Sequence, residues 1–369
     1  MTDTRIAIVH ERFTEVAGSE QVVEQLSLQW PHAPVYATLA RPSGVPAGLS
    51  APPRTTWLES GYRLIGEKSY APFTPLFPRA FRRMALREYD VVVVSHHAFA
   101  TQAAFATNAP VIAYVHSPAR WAWDRSLRTQ ESGGKGGAAI LGGLSRMARN
   151  GELAAVQRVS QVVANSTAVA QRIEQWWNRD AVVVHPPVNT EGFTPDPAVE
   201  REDFFLLAGR LVPYKRPDLA IAAAKRAGVR LVVAGAGRSM KWCQEIAGTN
   251  TTFLGRVSHE ELLGLHRRAQ ALLMPGIEDF GIVPVEAMAT GTPVIALGSG
   301  GALDSVIPGR TGVLVPPGSD ADIIDRFAAA IGTFDSSRFA PAEIRQWAEN
   351  FSQANFRARM QKVMDDVVS

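Results

Sequence analysis

The chain has 369 residues, with 38 Lys plus Arg against 35 Asp plus Glu, a formal net charge of +3, 46% hydrophobic residues and 20% charged ones. This is the composition of a globular chain of about two domains, and it excludes wholesale disorder; 19 basic against 15 acidic residues in the first 195 is too mild an excess for a dedicated nucleic-acid binder. A single cysteine, Cys243, excludes an internal disulfide framework and a Cys-rich zinc site.

In chain order, strands are expected at residues 5–10, 90–95, 110–116, 161–165 and 181–185, with helices at 18–29 and 153–158. The run Ile6–Val9 is shorter than a secretory signal, and no apolar run approaches the ~18 residues of a membrane span, so a cytoplasmic location is expected. The Gly-rich segment 133–143 reads as a mobile loop and lacks the G-x-x-x-x-G-K-[ST] pattern of a P-loop. From residue 204 the alternation becomes regular. Strands are expected at 204–209, 230–235, 251–255, 271–275 and 293–297. Helices are expected at 217–228, 239–248, 258–268, 283–290 and 320–331. Ser258 with Glu261 has the capping-box spacing, Pro284 falls in a first helical turn, and Ser319 or Asp320 caps the helix that follows. The tail 342–368 reads as helical. Short buried strands alternating with helices give an α/β fold of two Rossmann-like domains facing a cleft, with the break near 188–197 and ligands at the carboxyl ends of the strands.

Four strand-end loops carry the candidate chemistry. In Glu278-Asp-Phe-Gly-Ile-Val-Pro-Val-Glu286, two glutamates lie eight apart around a turn at Phe280-Gly281. The helix opening at Gly281-Ile282 offers backbone N–H groups and a positive dipole end to an anion such as a diphosphate. Glu278 would sit beside whatever hangs from the phosphate, and Glu286 could accept hydrogen bonds from a ribose diol; acidic residues near a helix start are also favoured for stability alone. In Gly209-Arg210-Leu-Val-Pro-Tyr-Lys215, two cations follow a strand and could clamp phosphate oxygens, although solvated surface charge is the common fate of such residues. His116, in Tyr114–Asp124, ends a strand and could bridge a sugar hydroxyl and a phosphate, or be structural; Trp121 and Trp123 read as core. Gly18, in Ala17-Gly18-Ser19-Glu20, lets a backbone approach a ligand or simply turns a loop into a helix.

Together these segments resemble the retaining glycosyltransferases of family 4, which have the GT-B fold. Glu278-x7-Glu286 is similar to that family's E-x7-E motif, and Gly209 to Lys215 to its phosphate-binding loop. EDFGIVPVEAM at 278–288 and HPPVN at 185–189 are nearest to a bacterial mannosyltransferase-like subgroup. Where the family usually shows two adjacent glycines, this chain has Gly18-Ser19. The resemblance implies an acceptor domain at 1–190 and a donor domain at 191–346, with a helix at 347–369 returning to the first. It implies that Arg210 and Lys215 bind the diphosphate of a sugar nucleotide, GDP-mannose by the subgroup. Glu278, with the backbone at Phe280, Gly281 and Ile282, would hold the donor, Glu286 the ribose, and His116 the sugar and phosphate. A glycan or lipid-linked acceptor would lie near Gly18. Retention of anomeric configuration, with no metal and no cofactor, is implied as well.

Other readings are weaker. Gly235-Ala-Gly237 and Gly298-Ser-Gly300 both fail the third glycine of a dinucleotide fingerprint, at Met240 and Leu303. Asp320-Ala-Asp322 reads as capping, and His96-His97 cannot share one face. Paired carboxylates suit a glycosidase, which has no diphosphate for a basic loop to hold. A GT-B epimerase or phosphorylase, or a non-catalytic sugar-nucleotide-binding protein, stays open. Residues 76–87 (LFPRAFRRMALR) read as a basic, apolar helix that could lie on an anionic membrane, or as an ordinary solvated helix face.

Overall fold

The computed structural model describes residues 4–124, the backbone of 134–140, and residues 141–369 in full. The chain divides into two compact units: residues 1–187 with 356–369, and residues 188–355.

The first unit holds strands β1 (Ile6–His10), β2 (Val35–Ala37), β3 (Arg54–Thr55), β4 (Val91–His96), β5 (Val111–Val115), β6 (Gln161–Ala164) and β7 (Val182–Val183). They form one parallel sheet of order β3-β2-β1-β4-β5-β6-β7. Period-2 alternation sends Ala7, Val9, Val92, Val94, Ala113 and Val115 to one core and Ile8, Val91, Val93, Ile112 and Tyr114 to another, so both faces are buried. Its helices are α1 (Gly18–Gln29), α2 (Leu58–Leu64), α3 (Phe77–Phe81), α4 (Arg120–Trp123), α5 (Gly134–Val156) and α6 (Thr167–Trp177).

Two expectations are corrected here. The expected loop at 133–143 is, from Gly134, the start of the 23-residue α5; residue 133 lies outside the described residues. The stretch 76–87 is not one continuous helix, because α3 ends at Phe81 and a turn follows. Phe77, Phe81 and Leu86 are buried in the core and unavailable to a bilayer. The Arg82 guanidinium donates to Gln102 (2.8 Å) and lies over Phe105. No described helix is long and apolar enough to cross a membrane.

The second unit holds β8 (Phe205–Ala208), β9 (Leu231–Ala234), β10 (Thr251–Gly255), β11 (Leu272–Met274), β12 (Val294–Leu297) and β13 (Gly312–Val315), parallel, in the order β10-β9-β8-β11-β12-β13. Its helices are α7 (Pro217–Ala227), α8 (Met240–Ile246), α9 (His259–Arg268), α10 (Ile282–Ala289), α11 (Ala302–Ser305), α12 (Asp320–Gly332) and α13 (Pro341–Ala348). Ser258 caps α9 by accepting the Glu261 N–H (3.1 Å), and Ser319 caps α12 in a reciprocal box with Asp322. The last helix, α14 (Gln353–Val368), presents Phe356, Met360, Val363 and Met364 at helical spacing to the Ile8–Tyr114 core of the first unit. The return therefore begins at Phe356. Trp347 and Phe351 stay with the second unit, where Phe351 packs on Phe280.

His266 on α9 is fully buried against Phe193, with no hydrogen bond to either ring nitrogen among the described residues. Burial holds its pKa down at about 3, whereas in the unfolded chain it titrates near the ordinary histidine value of 6.5. The unfolded state thus binds the extra proton between those values, and the fold loses stability as pH falls from about 6.5 toward 3. The melting temperature is expected to drop between pH 7 and pH 4, with a smaller drop in His266→Leu. Equal drops in the two proteins would assign the acid sensitivity elsewhere.

Candidate active site

In a doubly wound sheet the loops of neighbouring strands diverge where the strand order reverses, and ligands bind there. In the second unit that point lies between β8 and β11. The loop after β8 carries Arg210 and Lys215, and the loop after β11 carries Glu278. The Lys215 Nζ donates to Glu278 Oε1 at 2.8 Å, and both side chains are 18% exposed. The two loops are locked by close approach. A Cβ on Gly276 would stand 2.6 Å from the Lys215 carbonyl oxygen, so only glycine lets the backbones meet. The Glu278 carbonyl accepts the Gly301 N–H (3.0 Å) from the loop after β12.

Gly281 makes the turn into α10 at φ +91°, a conformation L side chains rarely adopt. Phe280, just before it, is buried. The first N–H groups of α10, starting at Ile282, have no intrahelical acceptors. Glu286 lies one turn further on and is partly buried. Desolvation pushes its carboxyl up to about 7, with the Lys215 charge pulling the other way. Lys215 thus interacts with both glutamates of the motif. Arg210 is exposed, and its Nη2 donates to the Tyr214 hydroxyl at 3.3 Å.

Arg216, which carries no signal of its own in the sequence, anchors this loop. It holds the left-handed φ of +50°, and its guanidinium donates to both oxygens of Asp320 (2.8 and 2.6 Å) and to Asp218. Asp320 therefore ties α12 to the loop, while the capping belongs to Ser319 and Asp322.

In the first unit the reversal lies between β1 and β4, and a histidine cluster occupies it. His116, just past β5, has Nε2 2.8 Å from Ser95 Oγ. Ser95 Oγ is 3.0 Å from His10 Nδ1, and His10 Nε2 is 3.3 Å from Glu20 Oε1. The His97 ring stacks on His116, with centroids 4.5 Å apart and planes within 14°. Burial holds the His116 pKa at about 3, with Glu20 opposing. Gly18 opens α1, and the Glu20 carboxylate in that turn accepts the Ala17 N–H (3.0 Å) and the Ser19 hydroxyl (2.8 Å). His96 points away from His97. Its Nδ1 accepts the Thr101 N–H, so Nε2 donates to Glu152 (3.0 Å), which also takes Ala119 N and the indole N–H groups of Trp123 and Trp177. Trp123 stacks on Trp176. Sequence reasoning passed over His10, Ser95 and Glu20. The signal available was the one that selected His116: a histidine at the carboxyl end of a strand.

Of the candidate residues, the structure brings together Lys215, Glu278, Phe280, Gly281, Ile282 and Glu286, with Arg210 on the same loop as Lys215. His116 and Gly18 belong to the other unit.

Two family models match the chain: Glycosyltransferase Family 4 over residues 16–191 and Glycosyl transferases group 1 over residues 190–333. With the two parallel sheets, they define the class as a GT-B glycosyltransferase fold. The chain belongs to glycosyltransferase family 4. The D-inositol 3-phosphate glycosyltransferases of Mycobacteroides abscessus and Mycolicibacterium smegmatis are 34% and 32% identical over 199 and 213 residues. Those matches cover 47% and 49% of this chain and 45% and 49% of the relatives. The chain thus spans about half the length of the curated relatives it matches. Anabaena HepE, crystallised with UDP, shares the fold with a TM-score of 0.72 at 16% identity, covering 98% of this chain and 100% of its own. Sucrose-phosphate synthase from Thermosynechococcus elongatus gives 0.70 at 19% identity over 99% of each chain.

The site predicts a measurable titration. A carbon-13 NMR titration of the labelled protein should find the Glu286 carboxyl half-protonated at about pH 7. Lys215→Met should raise that midpoint, because it removes the cation that favours the carboxylate. An ordinary carboxylate midpoint in the wild type would mean that Glu286 is solvated rather than enclosed.

Proposed function

We propose that the chain transfers a hexosyl group from a nucleotide sugar to a glycan or lipid-linked acceptor. The observation that carries this reading is the Lys215–Glu278 pair held at 2.8 Å beside the N-terminus of α10, at the strand-order reversal of the second unit. A diphosphate there would find a fixed ammonium, the Arg210 fork and helix N–H groups, all complementary to the charge that grows on a leaving diphosphate. Glu278 would accept hydrogen bonds from sugar hydroxyls and Glu286 from the ribose diol. In the first unit, His116 would bind a sugar hydroxyl, and an acceptor would lie near Gly18.

No protein nucleophile is invoked. The acceptor hydroxyl attacks the anomeric carbon from the face the diphosphate leaves, its proton passes to the departing phosphate oxygen, and configuration is retained. GDP-mannose is the donor favoured by the mannosyltransferase-like motifs at 278–288 and 185–189. A uridine donor is the second reading, because a fold neighbour was crystallised with UDP-glucose.

A thermal-shift panel with GDP-mannose, UDP-glucose, ADP-glucose and NAD should give a shift with one nucleotide sugar and none with NAD. A ligand at 100 times its dissociation constant stabilises by about 2.7 kcal/mol. With that donor, Arg210→Ala and Lys215→Ala should each lower kcat/KM by ~10² or more, the scale of a lost charge-stabilising contact. Wild-type kinetics in both variants would overturn the diphosphate assignment.

A further inference from the structure

We propose that Glu20, His10 and Ser95 form a hydrogen-bonded relay that fixes the proton of His116 on Nε2. This would make Nδ1 an acceptor for a ligand hydroxyl. The three are positioning residues, and the identity of that hydroxyl, on a donor or acceptor sugar, rests on the transferase reading above.

The direction of the relay follows from its acidic end. Glu20 already receives the Ala17 N–H and the Ser19 hydroxyl on Oε2. Desolvation opposes its ionisation, but the hydrogen bonds from His10 and Ser19 outweigh it and hold the carboxyl at about 2. An ionised carboxylate has no proton to give, so the His10 Nε2–H donates to it. With His10 in its neutral form, Nδ1 accepts from the Ser95 hydroxyl at 3.0 Å. That uses the only proton of Ser95, whose oxygen therefore accepts from His116 Nε2 at 2.8 Å. The remaining nitrogen of a neutral imidazole, Nδ1, carries a lone pair.

Packing keeps the ring where the relay needs it. His97 stacks on one face, and Tyr114 meets it at 5.2 Å and 68°. Tyr114 is itself fixed by donating to the Val184 carbonyl (3.0 Å). A neutral acceptor nitrogen suits a hydroxyl and is unsuited to a phosphate oxygen, which needs a donor. The contact to both sugar and phosphate implied by the sequence thus narrows to the hydroxyl.

The relay also has a reversed state. A proton arriving at His116 Nδ1 moves the Nε2 proton to Ser95 and the Ser95 proton to His10 Nδ1. The charge then rests on His10, beside the Glu20 carboxylate. One proton has been added, no bond between heavy atoms has changed, and His116 stays neutral with a donor where the acceptor was. The charged and titratable groups around this pair are Glu20 on α1, Arg12 after β1, His96 and His97 at the end of β4, and Tyr114 on β5. Acidification drives the switch.

The full-length protein labelled with nitrogen-15 histidine reads this directly, with no ligand present. The His116 signals are identified by their loss in His116→Gln. At pH 7.5 the wild type should show Nε2 protonated and Nδ1 bare, with exchange toward Nδ1–H as pH falls. Ser95→Ala should abolish the preference. Glu20→Gln, whose amide can donate or accept, should give a mixture. Protonated Nδ1 in the wild type at pH 7.5, or unchanged His116 signals in both folded variants, would overturn the relay. Because the wild-type measurement needs neither turnover nor a variant, its outcome is separate from that of the donor panel.

Discussion

A parallel sheet cannot have all its crossover helices on one face and still cover both. Each unit solves this by starting in the middle of its sheet and winding outward twice, once in each direction. The solution leaves one gap per sheet, between β1 and β4 and between β8 and β11, where adjacent loops part company. The Lys215–Glu278 pair and the His10–Ser95 contact lie at these gaps. Elsewhere the described strands are covered on both faces by apolar side chains.

The two gaps are furnished differently. That of the second unit is electrostatic. One ammonium is paired with Glu278 and also acts on Glu286, whose carboxyl burial raises to about 7. The Lys215–Glu278 pair fixes the direction of that ammonium. The gap of the first unit is a chain of hydrogen-bonding side chains ending in one carboxylate.

The sequence made the regular parts legible and left the tertiary ties hidden. Strands β8 to β12 stood out because each is a short apolar run ended by Gly or Pro, and Ser258 and Ser319 announced their helices. Strands β2, β3 and β7 are two or three residues long and carry too little pattern to read; only β7 was expected. Helix α6 was missed although Ser166 caps it and Val169, Ile173 and Trp177 repeat at helical spacing. The glycines at the start of α5 masked a helix whose far end Glu152 pins with four donors. In the site, Glu278, Glu286 and Lys215 were visible from local spacing. The Arg216–Asp320 tie, 104 residues apart, and the His10–Ser95 contact, 85 apart, depend on strand order that no local window contains.

Residues 356–369 belong to the first unit yet follow the whole of the second in the chain. On the ribosome the order of completion is therefore inverted. Residues 188–355 emerge as one contiguous block and can close their own core, while the earlier half waits with its Tyr114 face uncovered. Phe356, Met360 and Met364 arrive last and seal it. The earlier-made unit is thus the later-finished one, and a chain stalled short of residue 356 would expose that apolar face to chaperones and proteases while residues 188–355 already had their own core.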